Sequence, residues 1–283
     1  MSRLNFMAIL AGKALAAEIL QATARRAKQL KPPVGLAVIL VGQDPASAVY
    51  VRQKRLAAKQ VGFRFRELNL PQRTSEKALL TAIANLNQDR AIDGFLVQLP
   101  LPSQIALPKV VAALKPAKDV DGFTPENLGR GFLNLPGLLP ATPAGILALL
   151  QAAQVPLKGQ NVVIIGHSMI VGRPLALLLT ALNATVTVCH EFTKKLADFT
   201  RRADVLISAT GVPNLVTGRM LKKGVVAIDV GCTKSQGKLT GDLDFASCRK
   251  QARWITPVPG GVGPLTVATL MQNTLQAAEE QRR

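Results

Sequence analysis

Apolar runs and helix-spaced patterns alternate along most of the chain. GLAVILVG (35–42) is a compact, β-branched run closed by glycine and predicts a buried strand. Residues 46–61 carry helical spacing and stop before Gly62, and FRFREL (63–68) alternates as a strand. Residues 75–89 predict a helix, with Ser75 as N-cap and Ala78, Leu79, Ile83 and Leu86 on one face. GFLVQLPLP (94–102) reads as a strand entering a proline-fixed loop, 104–115 as a helix, and KDVDGF (118–123) as the opening of a loop. A Pro/Gly-rich stretch, 129–143, marks a domain boundary. Beyond it, predicted helices near 144–153, 172–183, 194–202 and 265–281 alternate with the strands NVVIIG (161–166), TVTVCH (185–190), DVLISAT (204–210), VVAIDVG (225–231) and WITPV (254–258). There is no internal repeat. The pattern predicts an α/β protein of two domains, each a mostly parallel sheet with helices on both faces, the C-terminal one Rossmann-like.

Length agrees: 283 residues at about 150 per domain make two domains, large enough to fold without disulfide or metal. Charge adds something the pattern does not contain. Lys plus Arg is 35 against 17 Asp plus Glu, a net +18, which favours anionic partners. The basic residues are dispersed, and aromatics are only 4 %, too few for base-stacking platforms. A solvated basic surface is therefore the preferred reading over nucleic-acid binding. Three scattered cysteines (Cys189, Cys232, Cys248) and two histidines (His167, His190) support neither a metal site nor a disulfide framework, and fit a reducing cytoplasm. The apolar opening MSRLNFMAILAGKALAAEIL resembles a short leader but is interrupted by Lys13 and Glu18. The uncharged stretch between Arg130 and Lys158 is broken by Pro136, Pro140, Pro143 and Pro156, which argues against a membrane span.

Candidate chemistry falls in two places. NVVIIG-HSMIVG-RP runs from buried strand through turn to helix, with Gly166 and Gly172 six residues apart. Gly166 allows a sharp strand exit, and Gly172 lets a phosphate approach the helix start; a turn used only for packing is the alternative. The following strand ends at His190-Glu191. An acidic residue here commonly holds the ribose 2′-OH and so favours NAD, although Glu191 could instead pair with Lys194 or Lys195. Earlier in the chain, Tyr50 and Lys54 are one turn apart on one helix face, and a lysine in an apolar pocket can serve as a base. Taken alone, that pair is weak evidence, and an ordinary amphipathic helix surface is the preferred reading of it. Gln98 sits at the C-terminal end of a buried strand, where open α/β sheets place ligands. Asp119 and Asp121 could grip an amino-pyrimidine edge or simply cap their loop.

These elements, in this order, resemble the bifunctional methylenetetrahydrofolate dehydrogenase/cyclohydrolase family, FolD type. The matching segments are VGQDPASAVYVRQK (41–54), GFLVQLPLP, KPAKDVDGF (115–123), PATPAG (140–145), VVIIGHSMIVGRP (162–174), ADVLISATG (203–211), AIDVG (227–231), GDLDF (241–245) and TPVPGGVGPLTVATLMQNT (256–274), covering nearly the whole chain. The resemblance implies a folate-binding catalytic domain over 1–139, joined by the C-terminal helix 265–283, and a dinucleotide domain over 140–264. It implies Lys54 as the catalytic lysine, Gln98 as the residue tuning it, Tyr50 stacking on the substrate's aminobenzoyl ring with Ser47 beside it, and Asp121 gripping the pterin. Gly263 and Pro264 would lie in a loop closing over the folate. Gly166, His167, Ser168, Gly172, Glu191, Thr210 and Cys232 would line the dinucleotide. The activity implied is oxidation of 5,10-methylenetetrahydrofolate, then hydrolysis to 10-formyltetrahydrofolate, with NADP as cofactor, no metal, and a homodimer.

The match departs at several positions. Ala141 replaces the family's common cysteine, Ala11 a common aspartate, and Cys232 a usual aliphatic residue. His167 and Glu191 stand where Arg or Ser often serve a 2′-phosphate, which keeps NAD open as the alternative cofactor. A monofunctional cyclohydrolase with weak dinucleotide use, and a nucleic-acid-binding protein on the same scaffold, are the rival readings.

Overall fold

The computed structural model describes residues 8–235 and 238–282; residues 1–7 of the apolar opening thus lie outside the described residues. In chain order the elements are β1 (Ala8–Ile9), α1 (Gly12–Ala27), β2 (Gly35–Val41), α2 (Pro45–Val61), β3 (Arg64–Leu70), α3 (Glu76–Gln88), β4 (Gly94–Val97), α4 (Leu107–Ala113), α5 (Pro125–Phe132) and α6 (Ala141–Ala152). They continue with β5 (Asn161–Ile165), α7 (Gly172–Ala181), β6 (Thr185–Cys189), α8 (Leu196–Thr200), β7 (Val205–Ser208), β8 (Val226–Asp229), β9 (Thr233–Ser235), β10 (Lys238–Thr240), α9 (Phe245–Arg249), β11 (Trp254–Ile255) and α10 (Val262–Gln281). The chain forms two compact units, Ala16–Ala141 with Val267–Arg283, and Thr142–Thr266 with the residues up to Leu15.

The unit that begins at Ala16 is built on a three-stranded parallel sheet in the order β3-β2-β4. Every residue of the central β2 is buried, which explains its unbroken apolar run: both of its faces are covered. Leu36 and Val38 share one core with Val51, Ala58 and Val61 of α2 and with Leu270, Met271 and Leu275 of α10. Ala37, Ile39 and Val41 point into the other, with Leu79, Ile83 and Leu86 of α3. The last helix is also held at its end. The Arg282 guanidinium bonds both oxygens of the buried Asp93 carboxylate, and Asp93 Oδ2 accepts the Gly35 N–H.

The other unit carries a six-stranded parallel sheet in the order β1-β11-β8-β7-β5-β6. Val163, Ile165, Leu206, Ala227 and Ile255 pack on one face against Leu196 of α8 and Cys248 of α9. From β5 the chain steps to β6 on one side and returns to β7 on the other, so the strand order reverses between β5 and β7. In such sheets the crevice beyond the strand ends at this switch point is where ligands bind.

The α/β class and the strand–helix alternation are as expected. Three details differ. Residues 8–9 pair with β11 (Ala8 with Trp254, Ile9 with Ile255), so the N-terminal segment groups with the nucleotide-type unit rather than with 1–139. The stretch after KDVDGF, read as loop, contains α5, which survives Gly129 and Gly131 because Pro125 starts it. Gly263 and Pro264 lie in the first turn of α10, not in a loop, and belong to the Thr142–Thr266 unit.

Candidate active site

In the first unit the site grows out of how α2 begins. Asp44 Oδ2 accepts the Ser47 N–H (2.7 Å) as N-cap, and Pro45 occupies the first turn, where its missing N–H costs nothing. Ser47 is buried, and its hydroxyl donates to the Leu99 carbonyl (3.1 Å), tying the helix start to the loop after β4. Helical spacing then places Tyr50 one turn before Lys54.

Lys54 is only 7 % exposed. Its ammonium donates to Gln98 Oε1 at 2.9 Å. Gln98 is held in turn: its backbone N–H donates to the Ile39 carbonyl, and its Nε2 donates to the Leu99 carbonyl (2.8 Å). That second bond fixes which end of the amide faces the lysine. Burial lowers the Lys54 pKa, with the Asp121 charge opposing; burial raises the Asp121 carboxyl, with Lys54 opposing. Desolvation thus brings the neutral amine closer to physiological pH, which is what a proton-transfer group needs.

The two aspartates of KDVDGF divide their roles. Asp119 is fully buried and accepts bonds from the N–H groups of Gly122 (3.0 Å) and Thr124 (2.6 Å) and from Asn127 Nδ2 (3.2 Å). It is the loop's anchor, and Asp121 is the carboxylate that senses Lys54. Sequence reasoning missed Asn273, whose Nδ2 donates to the carbonyls of Val120 (2.9 Å) and Leu139 (2.8 Å) and so pins the backbone just before Asp121. Its only sequence signal is an amide within an otherwise apolar helix stripe.

In the second unit, Gly166 leaves β5 with φ +106°, and a Cβ there would meet the Ala209 carbonyl oxygen at 2.4 Å. A Cβ on Gly172 would stand 2.0 Å from the Gly166 carbonyl oxygen. Both glycines are therefore required for the turn to fold back on the start of α7, with the Ser168 hydroxyl accepting the Val171 N–H (3.2 Å). This tight glycine turn, at the sheet's switch point and before a helix N-terminus, fits the phosphates of a dinucleotide. Glu191 pairs with His167 (Nδ1 to Oε2, 3.5 Å), not with the lysines that follow it, and His167 meets His190 edge-on with centroids 5.0 Å apart. Thr210 gives both its N–H (2.7 Å) and its hydroxyl (2.9 Å) to Asp242 Oδ2. Cys232 is exposed. Among the described residues no group of three or more His, Cys, Asp or Glu could hold a metal ion, and no helix is long and apolar enough to cross a membrane.

A nucleotide-type sheet with a glycine turn, and a second unit presenting a buried lysine bonded to a glutamine and in the field of an aspartate, define a dinucleotide-dependent enzyme with an acid–base group. Comparison with known proteins makes this specific. Residues 10–121 match the tetrahydrofolate dehydrogenase/cyclohydrolase catalytic domain, and residues 140–282 match the NAD(P)-binding domain of the same proteins. The chain belongs to the tetrahydrofolate dehydrogenase/cyclohydrolase family. It is 53 % identical over 246 residues to the bifunctional protein FolD of Wolinella succinogenes, covering 87 % of this chain and 86 % of that one. The crystal structure of the bifunctional FolD enzyme of Campylobacter jejuni superposes with a TM-score of 0.94 at 44 % identity, covering 97 % and 99 %. The Trypanosoma brucei enzyme, solved with NADP and an inhibitor, gives 0.94 at 37 % identity, covering 98 % of both.

Proposed function

We infer that the two activities of this family run on the residues described above: Lys54, Gln98, Asp121, Tyr50 and Ser47 serve the folate, and the Gly166–Gly172 cradle serves NADP. The chain oxidises 5,10-methylenetetrahydrofolate to the methenyl form and hydrolyses that to 10-formyltetrahydrofolate. The observation that carries the residue assignment is the buried Lys54–Gln98 bond.

When bound, the nicotinamide supplies a hydride acceptor. Oxidation leaves a cation that the folate's own ring nitrogen stabilises, so the protein's task in that step is positioning. Tyr50, partly exposed on the Lys54 face, offers a ring for stacking, and Asp121 offers two acceptors to an amino-pyrimidine edge. Hydrolysis asks more. The water oxygen bonds to the methenyl carbon and becomes the formyl oxygen, the bond from that carbon to the ring nitrogen breaks, one water proton passes to the departing nitrogen, and the other is released to solvent, which discharges the cation. Lys54 holds the proton at Nζ in transit, and Gln98 Oε1 keeps Nζ aimed. Lys54→Met is expected to lower methenyltetrahydrofolate hydrolysis by at least about a hundredfold while retaining measurable oxidation. Equal loss of both activities in a folded variant would reassign Lys54 to binding.

NADP as cofactor is supported by the complex of the Trypanosoma brucei relative. Glu191 favours the second reading, NAD, because a carboxylate at the end of β6 repels a 2′-phosphate; its pairing with His167 tempers that repulsion when the imidazole is protonated. The test is reduced-nicotinamide absorbance with each dinucleotide. Glu191→Ser should raise the NADP-to-NAD ratio of kcat/KM, and an unchanged ratio rejects Glu191 as selector. A homodimer in the cytosol completes the proposal. It is supported by the open edge of β6 and by three free cysteines, and sedimentation tests the dimer.

A further inference from the structure

Two buried carboxylates in the nucleotide-type unit take no part in the chemistry above. Asp229 ends β8, Asp242 follows β10, and they are 4 % and 1 % exposed. Asp229 Oδ1 accepts the N–H groups of Gly231 (3.1 Å) and Asp242 (2.9 Å), and its Oδ2 accepts that of Leu243 (3.0 Å). Asp229 therefore fixes the backbone that presents Asp242. Asp242 then reaches across to the exit of β7. Its Oδ2 accepts three bonds at once, from Ser208 Oγ (2.8 Å), Thr210 N–H (2.7 Å) and Thr210 Oγ1 (2.9 Å). Three donors converging on one oxygen suit an ionised carboxylate, which accepts only. Its Oδ1 is buried with no hydrogen-bond partner and lies against Gly231, where a Cβ would come within 1.8 Å of it. Asp242 thus touches the loops that follow two neighbouring strands, bonding the one after β7, a switch-point strand, and packing on the one after β8. The same two loops are joined again by Thr233 Oγ1, which donates to the Gly211 carbonyl (2.8 Å).

The Thr210 hydroxyl is committed by this arrangement. It gives its proton to Asp242 and accepts the Val212 N–H (3.1 Å). It has no proton left for a ligand, so Thr210 shapes the cofactor loop rather than donating its hydroxyl to the cofactor.

We propose that Asp242 is a positioning residue for the dinucleotide, setting the 209–211 and 230–232 loops through Thr210 and Gly231 without contacting the cofactor. This rests on the reading that the unit binds NADP. Calorimetric titration of the full chain with NADP tests it, alongside methenyltetrahydrofolate hydrolysis measured without dinucleotide. Asp242→Asn keeps the volume and one acceptor oxygen but removes the charge, and should weaken NADP binding about tenfold. Hydrolysis should stay within about twofold. Ser208→Ala, a milder change that removes one donor, should weaken binding about threefold with the same split. An NADP Kd unchanged in folded Asp242→Asn overturns the proposal, and so does a parallel loss of hydrolysis, which marks a merely structural role. If Asp242→Asn does not fold, Ser208→Ala decides by the same criterion. Failure of the unaltered chain to bind either dinucleotide would remove the cofactor reading itself, and this inference with it.

Discussion

At Lys54, burial changes what an amino acid can do. An exposed lysine at neutral pH is a cation. Here desolvation lowers its pKa, the Asp121 charge opposes that shift, and Gln98 holds the side chain in place. The amine, not the ammonium, can take a proton, so kcat for hydrolysis is expected to rise with pH through the lowered Lys54 pKa. Asp121→Asn removes the charge that holds that pKa up, so the rising limb of the pH–rate profile should move to lower pH; an unmoved limb would mean that another group titrates. Asp229 carries an opposite lesson for stability. Burial pushes its carboxyl from 3.8 up to about 6, against three backbone N–H donors that pull it down, with the nearby Asp242 charge adding to the rise. Its folded pKa is the higher one, so between about pH 4 and 6 the native state binds more protons than the unfolded state. Stability from this group is complete below that window and is lost as pH rises through it, by about 3 kcal/mol. Asp229→Asn should flatten this part of the Tm–pH curve, and a curve parallel to that of the unaltered chain would refute the shift. The Tyr50–Lys54 pairing is legible from helical spacing alone. The partnership with Gln98 is not, because it joins residues on different elements through tertiary packing, and spacing cannot tell an anchoring Asp119 from a site-facing Asp121.

The elements that sequence foretells are those with a strong local signal. Ser75 reads from sequence as the N-cap of α3, and its side chain accepts the Ala78 N–H at 3.2 Å. Ser75→Ala should therefore cost about 1 kcal/mol, a fall in Tm of about 3 °C; no fall would mean that solvent replaces the cap. The buried strands β2, β5 and β7 were equally plain as β-branched runs. What stayed hidden is short or non-local. Strand β1 is two residues long, and its identity as a strand depends on partners in β11, far along the chain. Strand β11 itself ends after Ile255, short of the WITPV run, because Pro257 lacks the N–H to continue a ladder. The β9–β10 pair and α9 are each only a few residues long, too short for any period to register. Thr210 shows the same limit in the site. A family resemblance places it beside the cofactor, but only the Asp242 bonds show how its hydroxyl is used.

On the scale of the whole molecule, the net charge of +18 is carried largely at the surface. Several of the 17 carboxylates are spent internally: Asp119, Asp229 and Asp242 are buried, and Asp93 is neutralised by Arg282. Glu67, Glu76, Asp89, Asp204 and Glu279 each already face an Arg or Lys. The remaining Lys and Arg side chains give a positive field with little to oppose it outside. A dinucleotide and a folate with its glutamate tail are both anions, so this field should raise their local concentration and their rate of encounter. Salt screens such a field over roughly 10 Å at 0.1 M ionic strength. The kcat/KM for the dinucleotide should therefore fall as salt is raised from about 20 to 200 mM, a range over which the screening length shrinks about threefold. The kcat, which begins after binding, should stay level. If kcat/KM is also flat, the charge does not serve the substrates; and if the chain is then retained on nucleic acid with a steep salt dependence, its basic surface belongs to that partner and not to the folate reaction.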